Sequence, residues 1–222
     1  MKLRFLTLGT LFLFISMNSF SQKTDAVNAD ERRELHLEPV EKGGGRPFME
    51  VLNERQTIRK FVNRELEPRL LSGLLWAANG INREESGKRT APSARDAREI
   101  DVYLVTMDGI YLYIPEGHMA RFIKGGDHRR EVLGSRSTFA YEAPVVLVFV
   151  ENGKKMEKFD AASKDFYSAV DCGYVSQNVY LYCASENLAT VVLGGINKET
   201  VGKILELKGD RVLLAQPVGY RE

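Results

Sequence analysis

An α+β domain built around one long helix is predicted by three features of the 222-residue chain. The first is a hairpin, in which EIDVYLVTM and IYLYI flank Asp108-Gly109, a dipeptide suited to a tight antiparallel turn. The second is APVVLVFVE, a continuous apolar run of the kind buried on both faces of a sheet. The third is a helical pattern from about Ser163 to Leu188, where Val175, Val179 and Tyr182 continue the face begun by Asp171.

The other elements follow along the chain. Lys2 and Arg4 precede an apolar run from Phe5 to Ile15, and Ser19-Phe20-Ser21 stands before Gln22. This is the layout of a secretory signal peptide over residues 1–21, and the run falls short of the ~20 apolar residues of a spanning helix. Cleavage before Gln22 implies a periplasmic or secreted chain with no membrane association afterwards. Residues 22–46 are polar, end in GGGRP and read as a linker or surface arm, which leaves 47–222 as one domain. Pro47 opens a helix through PFMEVLNERQ, and TIRKFVNREL is extended. A second helix starts at Pro68, carries Leu70, Leu71, Leu74, Leu75 and Ala78 on one stripe, and stops at Gly80. INREESGKRTAPS is a basic loop, HMARFIK reads as a short helical piece, and GGDHRR is a turn with a solvated His128. Beyond the long helix, TVVLGGI leads to a short helix, KETVGKILEL, and a last strand, VLLAQPVGY.

Composition narrows the chemistry. Lys and Arg number 31 against 30 Asp and Glu, so there is no basic footprint for nucleic acid. Cys172 and Cys183 lie eleven residues apart on one helix, ~16 Å, whereas a disulfide needs Cα atoms within about 7 Å. They read as buried packing thiols. His36, His118 and His128 are scattered, and no metal centre is expected. Gly-x-Gly-x-x-Gly, His-Glu-x-x-His and Gly-x-Ser-x-Gly are all missing. A bound cofactor is then the best chemical agent.

Three short stretches suit a ligand. In Arg55-Gln56-Thr57-Ile58-Arg59, two guanidinium groups and a hydroxyl can grip a phosphate. In Gly87-Lys88-Arg89-Thr90-Ala91-Pro92-Ser93-Ala94, small residues beside proline hold backbone against something flat or bulky. In Leu193-Gly194-Gly195, adjacent glycines permit positive φ and close backbone approach. Each, taken alone, also fits an ordinary charged surface or turn.

Together and in order, RQTIRKF, WAANGINR, GKRTAPSA, APVVLVFV, DCGYVSQNVYLYCASENLATVVLGG and PVGY resemble the FMN-dependent nitroreductase family from about Pro47 to Tyr220. The most specific part is the helix pattern Asp171, Gly173, Gln177, Asn178 and Leu181. The Pro92-Ser93-Ala94 loop leans toward the branch that contains the thiazoline- and oxazoline-forming oxidases. The resemblance implies a mixed, mostly antiparallel sheet flanked by helices, with the long helix at the core of a homodimer whose flavin sites lie at the subunit interface. It implies FMN as cofactor, with Arg55, Gln56, Thr57 and Arg59 on the phosphate and ribityl end and Arg221 completing that grip. Arg59 extends toward the pyrimidine edge, and Pro92, Ser93, Ala94 and Asp96 approach from the opposite subunit. Gly194, between Leu193 and Gly195, offers its N–H to flavin N5, and no side chain serves as nucleophile or metal ligand. Asp96 stands where many members carry Asn, and it can accept a hydrogen bond but not donate one. The implied activity is hydride transfer to or from a small organic molecule such as a nitro compound or quinone. A flavin-binding or inactive scaffold, and a cytoplasmic NAD(P)H-dependent reductase, remain the alternatives.

Overall fold

The computed structural model describes residues 34–222; the leader expected over 1–21 and the arm as far as residue 33 lie outside the described residues. Nine strands and five α-helices are described. The strands are β1 (Glu34–His36), β2 (Ile81–Arg83), β3 (Lys88–Arg89), β4 (Ile100–Val105), β5 (Gly109–Ile114), β6 (Met119–Gly125), β7 (Val145–Glu151), β8 (Leu188–Thr190) and β9 (Arg211–Tyr220). The helices are α1 (Phe48–Glu54), α2 (Pro68–Asn79), α3 (Arg129–Leu133), α4 (Ala161–Ser185) and α5 (Lys198–Ile204). Seven strands form one sheet in the order β1-β6-β5-β4-β7-β9-β8, and β2 pairs with β3 separately. Every strand pair among the described residues is antiparallel.

The apolar run of β7 is buried throughout because both of its faces are covered. Side chains alternate across a strand, so Val145, Leu147 and Phe149 enter one core with Leu74 and Leu75 of α2 and Val175 and Val179 of α4. Val146, Val148 and Val150 enter the other, with Val132 and Leu133 of α3, Val201 of α5 and Leu205 just past its end. The domain is therefore three layers, with the sheet in the middle.

Asp160 caps α4, its carboxylate accepting the Ser163 N–H at 3.0 Å. The helix stops at Ser185, three residues before the expected end. Asn187 adopts a left-handed φ of 57°, which turns the chain so that Leu188 starts β8 instead. Both cysteines are free and buried on this helix. Burial pushes the Cys172 thiol up to about 12 and the Cys183 thiol up as well, so both stay neutral. A buried polar chain fixes α4 to the sheet: Ser176 donates to Gln216 at 2.8 Å, and Gln216 donates to Thr190 at 3.1 Å.

HMARFIK is a strand, β6, not a helix. Seven residues cannot hold a helix against pairing on both sides, with β5 on one edge and β1 on the other. The polar arm thus supplies the edge strand β1 from its described part. His118, just before β6, ties down the same arm. Its ring lies 2.9 Å from the Tyr113 hydroxyl and 2.7 Å from Ser72, which donates to the Glu38 carbonyl at 2.5 Å. His128 is not merely solvated, since Nδ1 meets the Glu131 carboxylate at 2.8 Å. No helix among the described residues is long and apolar enough to cross a membrane.

Candidate functional site

Helix α1 ends at Arg55, whose N–H closes on the Val51 carbonyl at 2.9 Å. From there the chain runs extended along the sheet edge, and the Ile58 N–H bonds the Thr190 carbonyl of β8 at 3.0 Å. Tyr180 of α4 joins three pieces at this point. Its ring lies beneath the Arg55 guanidinium at 5.3 Å. Its hydroxyl shares a hydrogen bond with Thr57 at 3.1 Å and accepts the Val192 N–H at 3.0 Å. Tyr180 is buried, whereas Gln56, Thr57 and Arg59 are exposed.

The glycine pair follows directly. Leu193 exchanges two backbone hydrogen bonds with Ala215 of β9, at 2.7 and 3.0 Å, which fixes the entry to Gly194. Neither Gly194 nor Gly195 adopts positive φ, so backbone handedness is not why glycine stands there. Crowding within the chain is not the reason either. A Cβ on Gly194 would meet only Leu214 Cδ2, at 3.7 Å, and one on Gly195 would meet nothing within 4 Å. Both glycines are exposed, and the space beside them is open to a ligand lying on the backbone. Arg136 donates to the Gly195 carbonyl at 2.6 Å and brings a third cation to this edge. Arg221 closes the other side by donating to the Leu188 carbonyl at 3.3 Å.

Among the described residues, neither Arg55 nor Arg59 has a carboxylate within ion-pair distance. Two cations and a hydroxyl beside an uncovered glycine pair suit a flat ligand carrying an anionic tail. The residues present therefore fit FMN. Tyr180 and Arg136 were not singled out from the sequence, because Tyr180 is 123 residues from Thr57 and Arg136 is 59 from Gly195.

The Pro92–Ala94 segment is not brought to this cluster within one chain. The Ala94 N–H donates to Asp171 Oδ2 at 2.7 Å, nine residues before Tyr180 on α4, which is ~14 Å along the helix. Ser93 accepts the Arg98 N–H at 2.9 Å, and Pro92 is exposed. The Asp96 carboxylate pairs with Arg98 at 2.6 Å, which holds it below the usual carboxylate range and offsets its charge locally.

The sequence model described as "Nitroreductase family" matches residues 52–220. The chain belongs to the nitroreductase family. A curated relative, a "putative nitroreductase" of Methanocaldococcus jannaschii, is 32% identical over 180 residues, covering 78% of this chain and 90% of the relative. The crystal structure of a "putative nitroreductase" from Ralstonia eutropha JMP134 superposes with a TM-score of 0.82 at 34% identity, covering 89% of this chain and 93% of that one. The NADPH:FMN oxidoreductase of Vibrio harveyi shares the fold, with a TM-score of 0.60 at 19% identity over 79% of this chain and 69% of that one. A chain of the Escherichia coli microcin synthetase McbBCD complex does so too, with a TM-score of 0.67 at 17% identity over 97% and 85%. As a nitroreductase-family protein, the chain is a flavin-dependent oxidoreductase.

Proposed function

We propose that this nitroreductase-family chain is an exported, homodimeric, FMN-dependent oxidoreductase acting on a small organic substrate of the nitro-compound or quinone class. Bound FMN supplies the chemistry, taking and returning hydride at N5. The chain's own residues bind and orient it. Arg55 and Arg59 hold the phosphate and ribityl end with Gln56 and Thr57, Arg221 adds charge behind them, and the Gly194 N–H faces the reactive edge between Leu193 and Gly195. Arg59 would reach toward the pyrimidine edge of bound FMN, where its positive charge would favour the anionic reduced ring. Pro92, Ser93, Ala94 and Asp96 complete the site of a second copy.

One observation carries this reading: among the described residues, two cations without carboxylate partners share an edge of the sheet with an exposed glycine pair that has room beside its backbone. The apolar residues left exposed on α1 and α4, Phe48, Met49, Phe166 and Tyr174, support the dimer. Export rests on the leader pattern of residues 1–21. In a compartment without nicotinamide cofactors, an oxidase-like direction with oxygen as terminal acceptor suits the enzyme. The deciding experiment is the visible spectrum of the purified protein, with extracted flavin identified and counted per chain. One FMN per chain is expected. A colourless protein that takes up no added FMN sinks the cofactor assignment, and a fractionation blot tests export separately.

A further inference from the structure

A buried acid pair lies beneath the Pro92–Ala94 segment. Glu99, just before β4, is 0% exposed, and Asp171 of α4 is 3% exposed. Asp171 lies near enough to act on the Glu99 carboxyl both as a charge and as a hydrogen-bond partner. Both oxygens of Glu99 lack a donor from any other described residue, and the hydroxyl of Ser168, one turn before Asp171, has no partner there either. Two carboxylates held together away from water cannot both ionise without a large cost, so one of them keeps a proton. Asp171 accepts the Ala94 N–H, whereas Glu99 accepts from no residue but its own backbone, so the proton resides on Glu99. Glu99 then becomes a donor with Asp171 as its acceptor, and its buried hydroxyl is no longer an orphan.

The charged neighbours leave that arrangement intact. Glu151 of β7 adds a further negative charge near Glu99, and it is bound by Arg211 of β9. Lys155, after β7, is engaged by Asp101 of β4 at 2.7 Å and by the Arg98 carbonyl at 3.1 Å. Arg98 itself holds Asp96. On α4, Cys172 is a neutral thiol. Burial first, then Asp171 and Glu151, push the Glu99 carboxyl up to about 7.

The loop above is strained. Arg95, Asp96 and Arg98 take left-handed φ values of 53°, 55° and 51°, which non-glycine residues keep only when their surroundings hold them. One of those holds is the Ala94 N–H on Asp171. We propose that Glu99 is a positioning residue whose proton, shared with Asp171, latches the Pro92–Ala94 segment onto α4. Loss of the proton sets a second negative charge against Asp171, drives the two groups apart and frees the strained turn. The effect on cofactor rests on the FMN reading above; the effect on the loop does not.

The test is hydrogen exchange at the Ala94 amide in apo wild type and Glu99→Gln, from about pH 5.5 to about pH 8.5 and corrected for intrinsic rate. FMN titrations run on the same samples. In wild type, protection falls about tenfold through about pH 7 and FMN binding weakens in step, whereas Glu99→Gln keeps its low-pH protection throughout. Flat wild-type protection, or a variant that titrates with the wild-type midpoint, overturns the latch. Protection that titrates in a protein binding no FMN at any pH refutes the cofactor reading and leaves the latch standing. Should Glu99→Gln not fold, wild type alone decides: lack of a protonated-carboxyl infrared band at about pH 6 overturns the proposal.

Discussion

Replacing Tyr180 by phenylalanine removes the hydroxyl and keeps the ring, and it tests whether this side chain organises the site. That oxygen makes two contacts, to Thr57 at 3.1 Å and to the Val192 N–H at 3.0 Å. Each such bond contributes about 0.5–1.5 kcal/mol net, and Val192 is left without its acceptor, so the total loss is about 2 kcal/mol. For a domain of this size that lowers Tm by about 4–8 °C. Thr57 is exposed, so Thr57→Val alone costs less, under about 1 kcal/mol. The double mutant separates the shared bond from the rest, with an expected coupling of about 0.5–1.5 kcal/mol. FMN affinity falls about tenfold in Tyr180→Phe, because both Thr57 and the strand entering Gly194 lose their common anchor. Thermal unfolding of the four proteins, with FMN titration of each, reads all of this. A Tyr180→Phe protein melting within about 1 °C of wild type, or strictly additive single effects, refutes the claim that this hydroxyl holds the segments together.

The glycines offer a second test. Gly194→Ala leaves apo stability unchanged or up to about 1 kcal/mol higher, since φ is negative and a Cβ has room, yet it weakens FMN binding about tenfold or more. Gly109→Ala is the control: its Cβ would meet the Lys124 carbonyl at 2.5 Å, at a cost of about 1–3 kcal/mol to melting with FMN affinity little changed. Glu99 gives a stability slope of defined sign. Its carboxyl is raised from 4.5 to about 7 in the fold, so its contribution is complete below about pH 4.5 and is lost as pH rises through about 7, by about 3 kcal/mol. Denaturant unfolding of wild type minus Glu99→Gln should show that slope, and a difference independent of pH contradicts it. Burial lowers the His118 value, so its contribution has the opposite sign. It is present above about pH 6.5 and is lost as pH falls through the lower folded value, which a wild-type minus His118→Gln comparison measures.

The parts of the fold legible in the sequence are those whose pattern has one solution. VVLVFV is short, apolar at every position and four-sixths valine, which favours a strand covered on both faces, and β7 has a core on each side. The α4 spacing puts Val175 and Val179 on one face over three turns. HMARFIK has no such uniqueness, because Met119, Ala120 and Ile123 fit a short helix or a strand equally, and pairing with β5 decides between them. The Arg55–Arg59 stretch stands out locally, because two guanidinium groups flank a hydroxyl within five residues. Tyr180 was not, because its role depends on partners from α1 and from the chain after β8, which only the tertiary fold assembles. Glu99 was hidden for the same reason. In sequence it is one charge among several in RDARE, and only the placement of α4 over β4 buries it against Asp171.

Helix α4 sets the distance that the proposed dimer must bridge. The Pro92–Ala94 segment hangs on it at Asp171 and the Arg55–Thr57 cluster at Tyr180, ~14 Å apart. A two-fold axis crossing the helix midway between those anchors sets two copies antiparallel and exchanges their ends. Each copy's Asp171 end then falls beside the other copy's Tyr180 end. The outer stripe at that midpoint is suited to such a crossing. Gly173 and Gln177 are exposed, a Cβ on Gly173 would meet nothing within 4 Å, and Tyr174 is 46% exposed. Tyr174→Glu puts a charge on the stripe without touching the core, so the protomer fold should change by no more than about 0.5 kcal/mol. The expected result is a single-chain mass in sedimentation, an unchanged circular dichroism spectrum and loss of FMN binding. A monomeric Tyr174→Glu that binds FMN as tightly as wild type means the site is complete in one chain, and that Pro92, Ser93 and Ala94 contribute nothing across an interface.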